Sequence, residues 1–270
     1  MSDDTTPKDL PNKPLREAIF DIRWGLHDKD DQAQQDKKVQ YDKGFNLLVG
    51  VFFNKVNAEY GEVVNLPATQ IPEDMAPYIV RHQFKSKDGG WPLIQLGPGI
   101  LTFNETQKYS WPNFKEQLES TVTNLYDSYP VGIAEFSPIQ LSLKYINAIP
   151  LDEENKNLLD LISSDLHTEI QLDESLFGEN IQKSPTRLSL DLAFPLDDPK
   201  GKISLTIASG KMNKKSALIF QFEVTTDPEG VPGSKEEIFI WIEKAHKIIE
   251  NWFFSLIRGK LHDSYIESSE

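Results

Sequence analysis

An α+β fold built twice over is what this sequence predicts, and three observations carry the prediction. The order strand, helix, three strands, helix can be read once up to residue 135 and again from residue 136. The two passes keep step, since Ile139 follows Glu17 by 122 residues and Lys235 follows Trp111 by 124. A long amphipathic helix closes each pass. Alternating strands of this kind make antiparallel sheets with one apolar face, and the closing helices are the elements long enough to cover it.

Residues 1–13 are polar and acidic with Pro7 and Pro11, and are expected to be a flexible lead-in. The first half is placed at 14–135. Glu17 to Trp24 alternates, with Ala18, Phe20, Ile22 and Trp24 on one face and Asp21 and Arg23 on the other, which predicts a strand. A charged stretch from Asp28 to Lys38 precedes Phe45, Leu48, Phe52, Val56 and Tyr60 at helical spacing, with Gly61 as the expected stop. Strands are predicted over Tyr78–Phe84, Trp91–Leu96 and Ile100–Asn104, joined by Lys87-Asp88-Gly89-Gly90 and Gly97-Pro98-Gly99. Trp111 to Tyr129 is a helix by its apolar spacing, with Ser110 as candidate cap and Pro112 in the first turn.

The second half is placed at 136–262 and a flexible tail at 263–270. Its elements are a strand over Ile139–Ile149, a helix over Asn157–Leu166, and strands over Arg187–Phe194, Lys202–Ala208 and Ala217–Thr225. Leu188, Leu190, Leu192 and Phe194 share a predicted apolar face with Ile203, Leu205, Ile207, Phe220 and Phe222. The last helix starts at Ser234, where Glu237 three residues on completes a capping box. It carries Ile238, Trp241, Ile242, Ala245, Ile249, Trp252 and Phe253 on one stripe, worth roughly 1.5–3 kcal/mol per large side chain on burial. Two such halves side by side resemble the saddle of TATA-box-binding-like folds and, less closely, helix-grip folds that enclose a ligand. Fold outline alone does not carry function.

Composition narrows the partners. In 270 residues, 39% hydrophobic and 10% aromatic content suffices for a folded core. A formal net charge of −14 opposes nucleic-acid phosphate and anionic lipid unless a local basic patch intervenes. Zero cysteines remove disulfides, thiolate metal sites and cysteine nucleophiles together. The opening Met1-Ser2-Asp3-Asp4 lacks the pattern of a secretory leader, and no run has the length of a membrane span, so a cytoplasmic protein is expected.

Several stretches, Pro14 to Arg23, Leu96 to Thr102, Tyr109 with Trp111, Leu143 to Asn147, and Ala245-His246 with Phe253, resemble a sporadically distributed prokaryotic family of roughly this length and of unknown function. That resemblance supplies no catalytic residue. It implies a small bacterial or archaeal cytosolic protein of the kind found in mobile or defence-related neighbourhoods.

Motif chemistry is sparse. The five histidines have no metal-ligand spacing, Gly97-Pro98-Gly99 is too short for a dinucleotide loop, and neither a phosphate-binding Gly-Lys-Ser/Thr loop nor a Gly-x-Ser-x-Gly elbow occurs. No cofactor and no metal are expected. Asn147 falls on the apolar side of its strand with Tyr145, and a buried amide needs partners. Arg23, Trp24, Lys144, Tyr145, Asn147 and His246 are the candidate contact residues. Lys200, Lys202, Lys211, Lys214 and Lys215 could serve nucleic acid if they gather on the open sheet face.

Asp152, Glu153, Glu154, Asp160, Asp165, Glu169, Asp173, Glu174 and Glu179 stand against the single base Lys156. They make an acidic flank, either merely solvated or suited to a basic partner. The expectation is therefore a non-enzymatic protein that binds another protein through this surface, of antitoxin, immunity or defence-accessory type. The alternative is a small-ligand binder or enzyme with a pocket between sheet and long helix, where Trp24, Tyr145, Trp241 and His246 would converge. An apolar cavity with several inward polar groups would favour that alternative.

Overall fold

A computed structural model describes residues 10, 12–25, 27–28, 40–72, 75–106, 108–130, 132, 136–151 and 157–266. In chain order the elements are β1 (Leu15–Trp24), β2 (His27–Asp28), β3 (Gln40–Tyr41), α1 (Phe45–Val56), β4 (Glu62–Asn65), β5 (His82–Lys85), β6 (Leu93–Gly97), β7 (Ile100–Glu105) and α2 (Trp111–Ser128). There follow β8 (Pro138–Pro150), α3 (Leu158–Leu166), β9 (Ser189–Leu196), β10 (Gly201–Met212), β11 (Lys215–Thr226), α4 (Lys235–Ile257) and α5 (Lys260–Ile266). None of the described helices is long and apolar enough to cross a membrane.

Nine strands form one antiparallel sheet in the order β4-β5-β6-β7-β1-β8-β11-β10-β9. The duplication is visible in that order. Reading outward from the β1–β8 seam, β7, β6 and β5 on one side answer β11, β10 and β9 on the other, which makes the saddle-like α+β arrangement with the two halves fused into a continuous sheet. Across the seam Ile22 lies opposite Leu141, Phe20 opposite Leu143 and Ala18 opposite Tyr145. Period-two alternation sends all six toward the helices and leaves Asp21, Arg23, Ser142 and Lys144 on the other face.

The long closing helix does what its stripe predicts. Ser234 accepts from the Glu237 N–H while the Glu237 carboxylate accepts from Ser234 N, the reciprocal capping box. Trp241 packs edge-on to Phe20 at 6.5 Å between ring centroids, Phe253 lies parallel to Phe220 at 6.3 Å, and Trp252 reaches Phe222 and Phe194. Trp241 is buried, whereas Trp252 and Phe253 are half-buried. α2 covers the first half through Phe114 against Phe103 at 5.2 Å.

Several boundaries differ from the sequence expectation, each for a local reason. α1 ends at Val56, before Gly61, because the backbone tightens there and both Glu59 and Tyr60 donate to the Val56 carbonyl. The strand expected from Tyr78 is shortened to His82–Lys85. Tyr78 has φ 58 and donates its N–H to the Pro98 carbonyl across a turn. β4 was not expected, since four residues at a sheet edge show no alternation to read. Ser110 does not cap α2 with its side chain. On β9, Leu192 and Phe194 are 36% and 45% exposed rather than covered, because this strand lies at the sheet edge, where Phe194 meets Trp252 of α4.

The ends also differ. Residues 263–266, expected in a flexible tail, belong to α5, whose Leu261, Tyr265 and Ile266 pack on the core after a break at Gly259. At the other end Leu10 is buried and Lys13 is tied to the Tyr109 carbonyl, so the described part of the lead-in is fastened down. The remaining lead-in (1–9, 11), most of the charged stretch before α1 (29–38), the acids at 152–154 and the last four residues lie outside the described residues.

A single buried carboxylate ties the first half together. Asp42, 2% exposed, accepts from the Trp24 indole at 2.8 Å, the Tyr129 hydroxyl at 2.8 Å, and the backbone N–H groups of Gly44 at 2.9 Å and Gly99 at 3.3 Å. It thereby joins the end of β1, the start of α1, the β6–β7 turn and the end of α2. Gly99 meets it with φ 74, a conformation that a side chain would strain. Asp42→Ala strands two side-chain donors in the core and is expected to lower unfolding stability by about 3–5 kcal/mol in urea melts. Trp24→Phe, which strands none, is expected to cost less than Asp42→Ala.

Candidate functional site

The sequence of β8 places Leu143, Tyr145 and Asn147 on the helix side in succession, and at its far end this row runs past the start of β1. There a bulge intervenes: Ile146 pairs with Glu17 but Asn147 pairs with Leu15, so Arg16 is the extra residue. The bulge reverses the facing that strict alternation would impose. Leu15 turns inward while Arg16 is exposed. Beyond Leu15 no strand among the described residues continues β1 alongside β8, and between β8 and α4 a cavity of about 450 Å³ opens there.

Its walls come from four segments: Leu10, Lys13 and Leu15 at and before the start of β1, Tyr145 and Asn147 of β8, the run into α2, and α4. The Tyr109-Ser110-Trp111-Pro112 run enters α2 with Ser110 extended, which throws Tyr109 and Trp111 to the cavity side. α4 contributes His246 and Glu250, one helical turn apart, and Phe253 with Phe254 beyond them. Trp111 lies flat on the His246 imidazole, with centroids 3.6 Å apart and planes 10° apart. Glu243 accepts from Lys115 at 2.6 Å, and its carboxyl is held below the usual range by that bond first and by the Trp111 indole among lesser causes. This pair fastens α2 to α4 beside the cavity.

A hydrogen-bonded chain runs through the site. The Tyr109 hydroxyl donates to the Tyr145 hydroxyl at 2.7 Å, and the Tyr145 oxygen lies 2.8 Å from His246 Nδ1. Burial pushes both phenols well above their ordinary range, so both keep their protons. Having accepted from Tyr109, Tyr145 donates to Nδ1. The imidazole proton then sits on Nε2, which faces Glu250 Oε1 at 4.0 Å. At the mouth, Lys13 Nζ donates to the Tyr109 carbonyl at 2.7 Å and lies 5.6 Å from the centre of its ring.

Of the residues singled out from sequence, Tyr145, Asn147 and His246 meet at this cavity. Trp24 does not, because it is consumed by Asp42 and packs against Tyr129 and Phe136. Trp241 packs on Phe20 instead of reaching the cavity. Arg23 and Lys144 face the other side of the sheet, where a polar depression of about 250 Å³ is lined by Asp21, Ser142, Lys202, Glu223 and Thr225 as well. There Lys144 pairs with Glu223 at 3.4 Å, and Arg23 lies 5.8 Å from the Tyr78 ring.

The lysines whose gathering a nucleic-acid reading would require do not gather. Lys200 pairs with Glu229 at 2.7 Å near Lys202, at one end of the β10–β11 hairpin. Lys211, Lys214 and Lys215 sit at the other end, roughly 30 Å away along a strand of this length. Tyr109, Trp111 and Glu250 were missed as site residues. The spacing of His246 and Glu250 on an otherwise apolar helix face was the signal that could have found the last.

Asp21 has one buried oxygen without a hydrogen-bond partner, and its carboxyl is pushed up to about 6. Burial is the main cause, opposed by Lys144 and Arg23 and reinforced by Glu223. The folded chain therefore holds this proton more tightly than the unfolded one, so stability falls as pH rises between about 4 and 6 and the full cost is present above 6. Asp21→Asn is expected to raise stability at pH 7.5 by on the order of 3 kcal/mol. The gain should vanish below pH 4 in urea melts run at both values.

Among solved structures the chain is similar to Methanococcus jannaschii TBP, at 12% identity over 90% of this chain and 97% of that one, with a TM-score of 0.20. It is also similar to the di-domain ARO/CYC BexL from the BE-7585A biosynthetic pathway, at 9% identity over 94% and 100% of the two chains, again with a TM-score of 0.20. Likeness at this level carries no functional argument. No family model and no curated protein matches the chain.

Proposed function

We propose that this protein binds a small, largely apolar molecule in the cavity between β8, the Tyr109–Pro112 segment and α4. The observation that carries the reading is the cavity itself. At about 450 Å³ it is within the size range of small-molecule sites, and its walls are mainly aromatic and aliphatic, with the Tyr109–Tyr145–His246–Glu250 chain and Asn147 as its inward polar groups. An enclosure of this kind gains affinity by removing apolar ligand surface from water, and the polar groups set orientation.

A second reading, docking of a basic protein partner, is favoured by a different observation. Leu172, Leu176 and Ile181 are 48%, 60% and 57% exposed, interleaved with Glu169, Asp173, Glu174 and Glu179. Apolar side chains set among acids suit a partner that brings both lysines and a hydrophobic contact. An antitoxin, immunity or defence-accessory role is the form this reading takes.

Two measurements separate them. Leu15→Trp fills the cavity from the bulge, and it is expected to weaken binding of the reporter 8-anilinonaphthalene-1-sulfonate at least about tenfold with little change in melting temperature. Unchanged reporter binding in that variant would remove the first reading. For the second, a basic protein captured from the host should be lost with Leu176→Asp and weakened at raised salt. Capture indifferent to both changes would remove it.

A further inference from the structure

The sheet face turned away from the helices carries the polar depression of about 250 Å³ that holds Asp21, Arg23 and Lys144. Strand register builds its floor. Asp21 of β1 lies opposite Ser142 of β8, Ser142 opposite Thr225 of β11, and Thr225 opposite Lys202 of β10. Period-two alternation adds Arg23 on the same side of β1 as Asp21, and the neighbouring row sets Lys144 opposite Glu223.

The charges in this depression do not cancel. Glu223 is engaged twice, accepting from the Ser142 hydroxyl at 2.6 Å and pairing with Lys144 at 3.4 Å. Arg23 and Lys202 have no carboxylate partner among the described residues, and Arg23 lies beside the Tyr78 ring instead. Three bases against two acids make a locally positive spot on a chain of net charge −14, which favours an anion. Asp21 restricts which anion. Its carboxylate makes no hydrogen bond among the described residues, and Oδ1 is shut from solvent. On the β7 side it faces Thr102, whose hydroxyl is turned to Gln95 and Asn104. Burial, reinforced by Glu223, outweighs Lys144 and Arg23 and pushes the Asp21 carboxyl up to about 6. An anion without a proton would meet this carboxylate head-on. One that carries a proton can donate it to Asp21 and give its other oxygens to the two bases.

We propose that the depression binds a phosphate group that retains a proton, with Arg23 and Lys202 holding its oxygens and Asp21 accepting from its P–OH. Hydrogenphosphate and sulfate share charge and tetrahedral shape and differ by that proton, so at neutral pH Asp21 selects against sulfate. The phosphodiester of a nucleic-acid backbone lacks the proton as well and is refused for the same reason. Below about pH 6 the selection lapses, because Asp21 then carries its own proton and donates. Free phosphate and a phosphate monoester share the chemistry.

Calorimetric titration of the full chain with sodium phosphate and sodium sulfate, at pH 7.5 and pH 5.0, tests the proposal. At pH 7.5 phosphate is expected to bind about tenfold or more tighter than sulfate, and sulfate to gain about tenfold at pH 5.0. Asp21→Asn, whose amide can donate to either anion, should bring sulfate to within about twofold of phosphate at pH 7.5. Lys202 is exposed and its ammonium has no partner among the described residues, so Lys202→Gln should weaken phosphate at least about fivefold with the melting temperature unchanged. Methyl phosphate at pH 6.0 separates the two sources: affinity within about threefold of phosphate assigns a monoester, and its exclusion assigns the free ion. Equal affinity for phosphate and sulfate at pH 7.5 in the unaltered chain overturns the proposal. Phosphate binding indifferent to Lys202→Gln overturns it too, leaving an adventitious ion only, as does the absence of binding at both pH values. None of these outcomes bears on the cavity of the opposite face, which Leu15→Trp addresses.

Discussion

Everything in this molecule depends on the pairing of β1 with β8. The two strands are the first of their respective halves, and their antiparallel register turns two four- and five-stranded units into a single sheet with one apolar face. Had β1 slipped by one residue against β8, Phe20 and Ile22 would have turned to the wet side while Leu141 and Leu143 stayed inward. The same seam determines where space is left over. β8 outlasts β1, and its inward row runs on past Tyr145, which faces Ala18, to Asn147, which has only Leu15 beyond the bulge opposite it. The cavity follows from unequal strand lengths at a joint whose central rows are solidly filled.

The architecture was legible because it is written in periodicity. Trp241, Ile242, Ala245 and Ile249 at three- and four-residue spacing can only be a covered helix face, and the strands of the second half alternate over long stretches. Ser234 with Glu237 announced the start of α4 to the residue. What periodicity misses is short or irregular: β4, α5, the end of α1, and the exposure of Leu192 and Phe194 at an edge that the covering helix barely reaches. These depend on how far one element extends over another, which local sequence does not encode.

The site was half legible. Asn147 stood out because an amide on an apolar row needs a partner, and His246 because it interrupts an apolar helix face. Tyr109 and Trp111 belong to an irregular entry into α2, where no repeat indicates direction, so only the folded chain shows the indole lying on the imidazole. Trp24 misled for the opposite reason. A large aromatic at the end of a strand looks like a ligand contact, yet its indole N–H is taken by Asp42, a carboxylate 18 residues away that gives no sign in the sequence of being buried.

Trp24 and Asn147 have one more relation. They stand 123 residues apart, as do Phe20 and Leu143, so the two occupy matching positions in the repeated unit. In one copy that position holds an indole locked to Asp42, Tyr129 and Phe136; in the other it holds an amide at the edge of a hollow. A molecule made of twin modules can divide labour in this way, one twin acting as keel through dense interior bonding while its sibling tolerates a void. A single module would have to meet both demands at one address.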